Sequence, residues 1–171
     1  MGRSVNAWPS PWRPSHPQTK DGPMKIPSNT LVLVADGRKA MVLRNAGDAK
    51  FPNLKIEWAV MDQNPPTAEQ GSDRPGRLNF QSRRSSVEQT DWHAQEEIAF
   101  AKRTAAALDD LVRELKAADV VVVAPPRTLS VLRQSLDRET SSKVIAELAQ
   151  DLVYRPIGDI EAHLGRATIA S

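Results

Sequence analysis

The sequence contains no cysteine, which removes disulfides, thiolate metal ligands and cysteine nucleophiles together and fits a reducing compartment. Histidine is nearly as scarce. His16, His93 and His163 stand far apart, without the paired spacing of zinc or iron sites, so no metal ligand set is expected. No run of roughly 18 apolar residues occurs, which argues against a membrane span. The N-terminus also lacks the apolar core of a secretion signal, and a cytoplasmic protein is the expectation. No serine lies in a nucleophile-elbow sequence and no carboxylate cluster suggests a two-metal site. No catalytic residue and no cofactor are therefore expected.

An excess of one charge is missing as well. The formal net charge is +2, and Arg3, Arg13 and Lys20 against Asp21 account for all of it. From Met24 onward positive and negative side chains balance, so the body exerts no general attraction on phosphate. Any nucleic-acid reading must rest on local clustering.

The chain is 171 residues long, enough for one domain with a real core and too short for two comfortable ones. Residues 1–23 hold five of the thirteen prolines and almost no aliphatic side chains, so they are read as a disordered N-terminal extension. They are either passive or a short docking motif through Trp8 and Trp12. Met24 opens "MKIPSNTLVLVADG", which would serve as an ordinary start, and a mis-assigned upstream start is the alternative. The folded unit is expected to be a single domain over 24–171.

Within it, "LVLVA" from Leu31 and "AMVLR" from Ala40 flank the turn pair Asp36-Gly37, a hairpin signal. "LKIEWAV" alternates, placing Leu54, Ile56, Trp58 and Val60 on one face and Lys55 and Glu57 on the other, a third strand with one wet face. Ser86 and Gln89 form a candidate capping box, with Asp91 as a second cap. A helix then carries Ile98, Ala101, Ala105, Leu108, Val112 and Leu115 as one stripe, widened by Phe100 and Leu111, and ends near Ala117. "DVVVVAPP" from Asp119 reads as a parallel strand covered on both faces, and Pro126 as the first turn of a helix through "RTLSVLRQSL". "SSKVIAELAQ" is read as a further helix, "DLVYRP" as a short strand and "IGDIEAHL" as a terminal helix. The expected fold is α/β, a mixed five-stranded sheet with helices in the order β-β-β-α-β-α-α-β-α.

Between the third strand and the long helix lies "NPPTAEQGSDRPGRLNFQSRRSSVEQTDWH", for about twenty residues without periodicity. Connections of that length in compact domains are either functional or disordered. Arg74, Arg77, Arg83 and Arg84 fall here with no acid between Arg74 and Val87. Arginine forks match phosphate oxygens, and Gly71 and Gly76 would let backbone amides approach an anion or a base. The plain alternative is a solvated loop kept soluble by its arginines. Arg127, at the end of the valine strand, is a second and weaker anion-binding candidate. Pro125 and Pro126 remove two amides that a phosphate cradle would use, so a structural turn is the competing reading. Trp92 is taken as a core or loop-packing residue and His93 as its polar neighbour. "DGR" at Asp36 is taken as turn chemistry.

"VLVADGRKAMVLRNAG", "NPPTAEQGSDRPGR", "SSVEQTDWH", "VVVVAPPRTLSVLR" and "DLVYRPIGDIEAHL" together resemble the bacterial host attachment protein family, described as required for attachment to host cells. The resemblance covers about residues 24–165. That family is in turn remotely similar to the middle domain of archaeal and eukaryotic class I peptide release factors, which implies a ribonuclease H-like topology. In those factors a Gly-Gly-Gln motif occupies the loop between the third strand and the long helix. Here that place holds Glu69-Gln70-Gly71 and Asp73-Arg74-Pro75-Gly76-Arg77, so peptidyl-tRNA hydrolysis is not implied. What the resemblance leaves is a non-enzymatic contact with RNA or the ribosome through Gln70, Gly71, Arg74, Gly76, Arg77, Arg83 and Arg84. The alternatives are a protein partner docking on the 62–87 loop, an attachment role included, and a small anion-handling enzyme built at Arg127.

Overall fold

A computed structural model of the chain describes residues 24–62 and 86–167, with side chains of the long helix described from Asp91 onward. Five strands, β1 (Leu31–Ala35), β2 (Lys39–Asn45), β3 (Leu54–Met61), β4 (Val120–Val123) and β5 (Val144–Leu148), form one mixed sheet in the spatial order β3-β2-β1-β4-β5. The helices are α1 (Ser86–Glu114), α2 (Pro126–Ser135), α3 (Arg138–Lys143) and α4 (Ile157–Arg166). The expected element order therefore holds, and the sheet order is compatible with the topology that the resemblance implies.

β1 pairs antiparallel with β2 and parallel with β4, Leu33 lying between Val42 and Val122. Every residue of β1 and of β4 is buried, as expected for strands covered on both faces. On one face Phe100, Ala101, Ala105, Leu108 and Val112 of α1 pack with Leu129 and Leu132 of α2 against Leu33, Val42 and Val122. On the other, Ile160 and Leu164 of α4 join Met24, Ile26, Leu152 and Val153 over Val32, Val34, Val121 and Val123. The α1 stripe matches the expected one except at its margin, where Ile98 remains 37 % exposed.

The end of α1 is fixed by backbone geometry. Lys116 adopts φ 50°, the Ala117 N–H donates to the Val112 carbonyl at 3.0 Å and the Lys116 N–H to that of Arg113 at 3.4 Å. This is the paired bonding that closes a helix through a left-handed residue. Asn45 closes the far end of the hairpin from a buried position. Its amide donates to the Ile26 and Pro27 carbonyls at 2.9 and 3.2 Å, and its oxygen accepts from the Gly47 and Asn53 N–H groups, both at 2.9 Å.

Three expectations need correction. The fifth strand is Val144–Leu148, inside the segment expected to be helical, and "DLVYRP" forms no strand. Val144 and Ile145 are β-branched, but a five-residue apolar run has no period that distinguishes strand from helix. In "DLVYRP" the Arg155 N–H bonds the Leu152 carbonyl at 3.0 Å, closing a turn. Its consecutive residues Leu152 and Val153 both face the α4 side, which an extended strand cannot achieve. Second, β3 does not keep one apolar face. Val42 pairs with Trp58 but Leu43 with Ile56, so Glu57 is an extra residue in β3 and the faces exchange there. Leu54 belongs to the α4 side and Trp58 to the α1 side, while Ile56, on this edge strand, is 54 % exposed. Third, of the two readings of Trp92, core or loop-packing, the core one fails, because Trp92 is 54 % exposed. It lies nine residues before the buried Ala101, roughly half a turn out of phase at about 100° per residue.

Candidate functional site at the carboxyl edge of the sheet

Because β2 runs opposite to both β1 and β3, the strands β1, β3, β4 and β5 all point the same way. Their carboxyl ends, Ala35, Met61, Val123 and Leu148, share one edge. From β1 the chain builds outward on one side through β2 and β3, then returns to build the other side through β4 and β5. Open α/β sheets take their ligands at such an edge, beside the strand where the direction of construction changes.

The β1–β2 turn organises the middle of this edge. The Asp36 carboxylate accepts the Arg38 N–H at 2.7 Å and the Lys39 N–H at 2.6 Å, so "DGR" performs the turn chemistry its composition indicated. The Arg38 carbonyl in turn accepts the Asp62 N–H at 2.7 Å, and the Asp62 carboxylate meets Arg103 of α1 at 3.3 Å. α1 crosses close over the turn, where a Cβ on Gly37 would sit 2.7 Å from the Glu97 Cγ. Asp62, the last described residue before the arginine-bearing segment, is thus tied to both the β1–β2 turn and α1.

Tyr154 reaches the same edge from beyond β5. Leu152 and Val153 are buried beneath the turn, whereas Tyr154 is 61 % exposed. The Lys39 ammonium lies 5.0 Å from the Tyr154 ring centroid, within cation–π range. Burial, then the negative charge of Asp36 and its contact with the hydroxyl, push the Tyr154 phenol above its ordinary range, with Asp151 adding and Arg38 opposing. The ring stays neutral and protonated at physiological pH.

Arg127 also reaches solvent at this edge, in the first turn of α2. Pro125 caps that helix without a side-chain hydrogen bond, and Pro126 follows. The end of β4 therefore offers an exposed guanidinium rather than a nest of amides. Gln70, Gly71, Arg74, Gly76, Arg77, Arg83 and Arg84 lie outside the described residues, as do residues 1–23, and the side chains of the Ser86 and Gln89 cap lie outside the described side chains. Among the described residues no group of three or more His, Cys, Asp or Glu side chains is placed to hold a metal ion, and no helix is long and apolar enough to cross a membrane.

Two polar clusters away from the edge are structural. Glu147 of β5, with 7 % of its side chain exposed, is gripped by both the Nε and Nη2 of Arg133 on α2. Asp109 of α1 accepts the Asp137 N–H at the start of α3, while Asp137 itself accepts the Thr140 N–H at 2.7 Å and pairs with Arg113. Burial pushes the Asp109 carboxyl above the usual range. For Asp137, burial acts upward but is outweighed by the Thr140 hydrogen bonds and the Arg113 charge, which hold it below that range.

The sequence matches bacterial archaeo-eukaryotic release factor family 12 over residues 29–164. That span runs from the turn before β1 to the last turn of α4, and the chain belongs to this family. The domain is thus related to proteins of translation. No curated protein matches the sequence significantly.

Proposed function

We propose that this domain is a non-enzymatic, translation-associated module that contacts the ribosome or RNA through the arginine-bearing segment between β3 and α1. The observation that carries the reading is the family match, which extends across residues 29–164 and so includes that segment. Arg74, Arg77, Arg83 and Arg84 supply the phosphate contacts, and Gln70, Gly71 and Gly76 allow close backbone approach. Peptidyl-tRNA hydrolysis is left out, because Glu69-Gln70-Gly71 stands where the release factors carry Gly-Gly-Gln. An influence on attachment to host cells would then be indirect, through translation of surface components.

Co-sedimentation of the full chain with purified ribosomes at stepped salt concentrations tests this. The quadruple Arg→Ala variant at 74, 77, 83 and 84 should lose association and flatten the salt dependence by roughly one unit per lost contact. Equal sedimentation of both proteins at every salt concentration would refute it. A nuclease-resistant protein partner on the same segment would favour a docking module instead.

A further inference from the structure

We infer that the carboxyl edge of the sheet carries a base-stacking site for single-stranded RNA, with the Tyr154 ring as the platform and Arg38, Lys39 and Arg155 as backbone contacts. Tyr154 is the chain's single tyrosine, and it is presented rather than merely left outside. Leu152, 4 % exposed, and Val153, 0 % exposed, anchor the turn that projects it, and the Arg155 N–H closes that turn on the Leu152 carbonyl. A ring fixed by its neighbours has little freedom left to lose when a base stacks on it.

The surrounding charge fits a polyanion. Arg38 and Arg155 are exposed and Lys39 is half-buried against the ring. The acids facing the ring are Asp36 and Asp151, of which Asp36 is engaged by two backbone N–H groups; beside the turn stand Glu97 against Gly37 and Asp62, the latter paired with Arg103. Sequence-tolerant sites for single strands combine these two elements, an aromatic face for the base and cations for the phosphates. The Arg38 carbonyl is hydrogen-bonded to Asp62, so the platform adjoins the root of the arginine-bearing segment. The inference rests on the proposed function for the class of ligand, but its residues are separate from that segment.

The probes are 5′-fluorescein-labelled twelve-nucleotide oligoadenylate and oligouridylate, titrated with the full chain and followed by anisotropy at low salt. Tyr154→Ala should weaken binding about 5- to 100-fold, whereas Tyr154→Phe, which keeps the π-face, should stay within about twofold of wild type. Oligoadenylate should bind more tightly, because its base offers the larger stacking face. Far-UV circular dichroism checks folding, and if Tyr154→Ala does not fold, the Arg38→Ala and Arg155→Ala variants must weaken binding and reduce its salt slope. Wild-type binding unchanged by Tyr154→Ala, or no oligonucleotide binding by the wild type, would overturn the site. The quadruple arginine variant separates the two ideas: tyrosine-dependent oligonucleotide binding, together with equal ribosome sedimentation of the wild type and the quadruple variant at every salt concentration, leaves the stacking site standing and removes the proposed function.

Discussion

Arg133→Met asks whether the fifth strand is held in place by a charge that an edge strand would not otherwise tolerate. Glu147 keeps only 7 % of its side chain in solvent, while Arg133 retains 35 % and binds it through two nitrogens. Removing one partner of a buried pair costs about 3–5 kcal/mol, because the other charge is left without compensation. Partial exposure of Arg133 lets water reach the abandoned carboxylate, so a loss of about 2–3 kcal/mol is the better figure. For a chain of this length that corresponds to a fall in Tm of roughly 5–12 °C. The double variant Arg133→Met with Glu147→Leu should recover most of the loss, since a buried ion pair replaced by apolar groups of similar volume is often neutral. Urea and thermal melts of the wild type, both single variants and the double variant close the cycle. Costs that simply add would refute the reasoning, because independent effects show no coupling between contacting residues.

Other perturbations reach different parts of the fold. Val122→Asp should abolish folding, as judged by circular dichroism, because Val122 is 0 % exposed between β1 and β5 and an unpaired buried carboxylate costs several kcal/mol, comparable to the whole stability of a small domain. Asn45→Ala should cost about 2 kcal/mol in urea melts, since the buried bond to the Ile26 carbonyl is lost together with those from the partly exposed Gly47 and Asn53 amides. Lys116→Gly should raise stability by about 0.5–1 kcal/mol by relieving the left-handed φ of 50°. The Asp109 carboxyl sits above its ordinary range, so its ionisation opposes folding near neutrality, and that penalty fades as pH falls through the raised value toward the ordinary one. Asp109→Asn should remove this portion of the pH dependence. Asp137, held low, contributes stability above the ordinary carboxylate range that is lost as pH falls through its depressed value, so Asp137→Asn should destabilise mainly at neutral pH.

The elements that were legible in the sequence are those whose periodicity had length to work with. Twenty-nine residues of α1 carry the stripe through Ala101, Ala105, Leu108 and Val112, and the valine run of β4 has no polar residue to suggest a wet face. Glu57 shows where pattern reading fails. A single extra residue in β3 turns Ile56 and Trp58 to opposite faces, yet strict alternation looks the same with or without a bulge. β5 failed for a different reason, because a short apolar run carrying Glu147 takes its identity from β4 alongside and Arg133 above it. Neither partner is visible from local composition.

That misplacement explains why the polar edge could not be assembled from sequence. With a strand drawn through "DLVYRP", Tyr154 alternates into or out of a sheet. With the strand ending at Leu148, the same residue tops a turn beyond the carboxyl edge and comes within 5.0 Å of Lys39, 115 positions earlier. The same logic joins Asp62, the last described residue before the arginine-bearing segment, to Arg38. Each contact depends on strand direction, which only the pairing of β1 with β2 and β4 determines. A polar group at the end of a strand becomes a candidate site only when several strands end together, and in this chain four of them do.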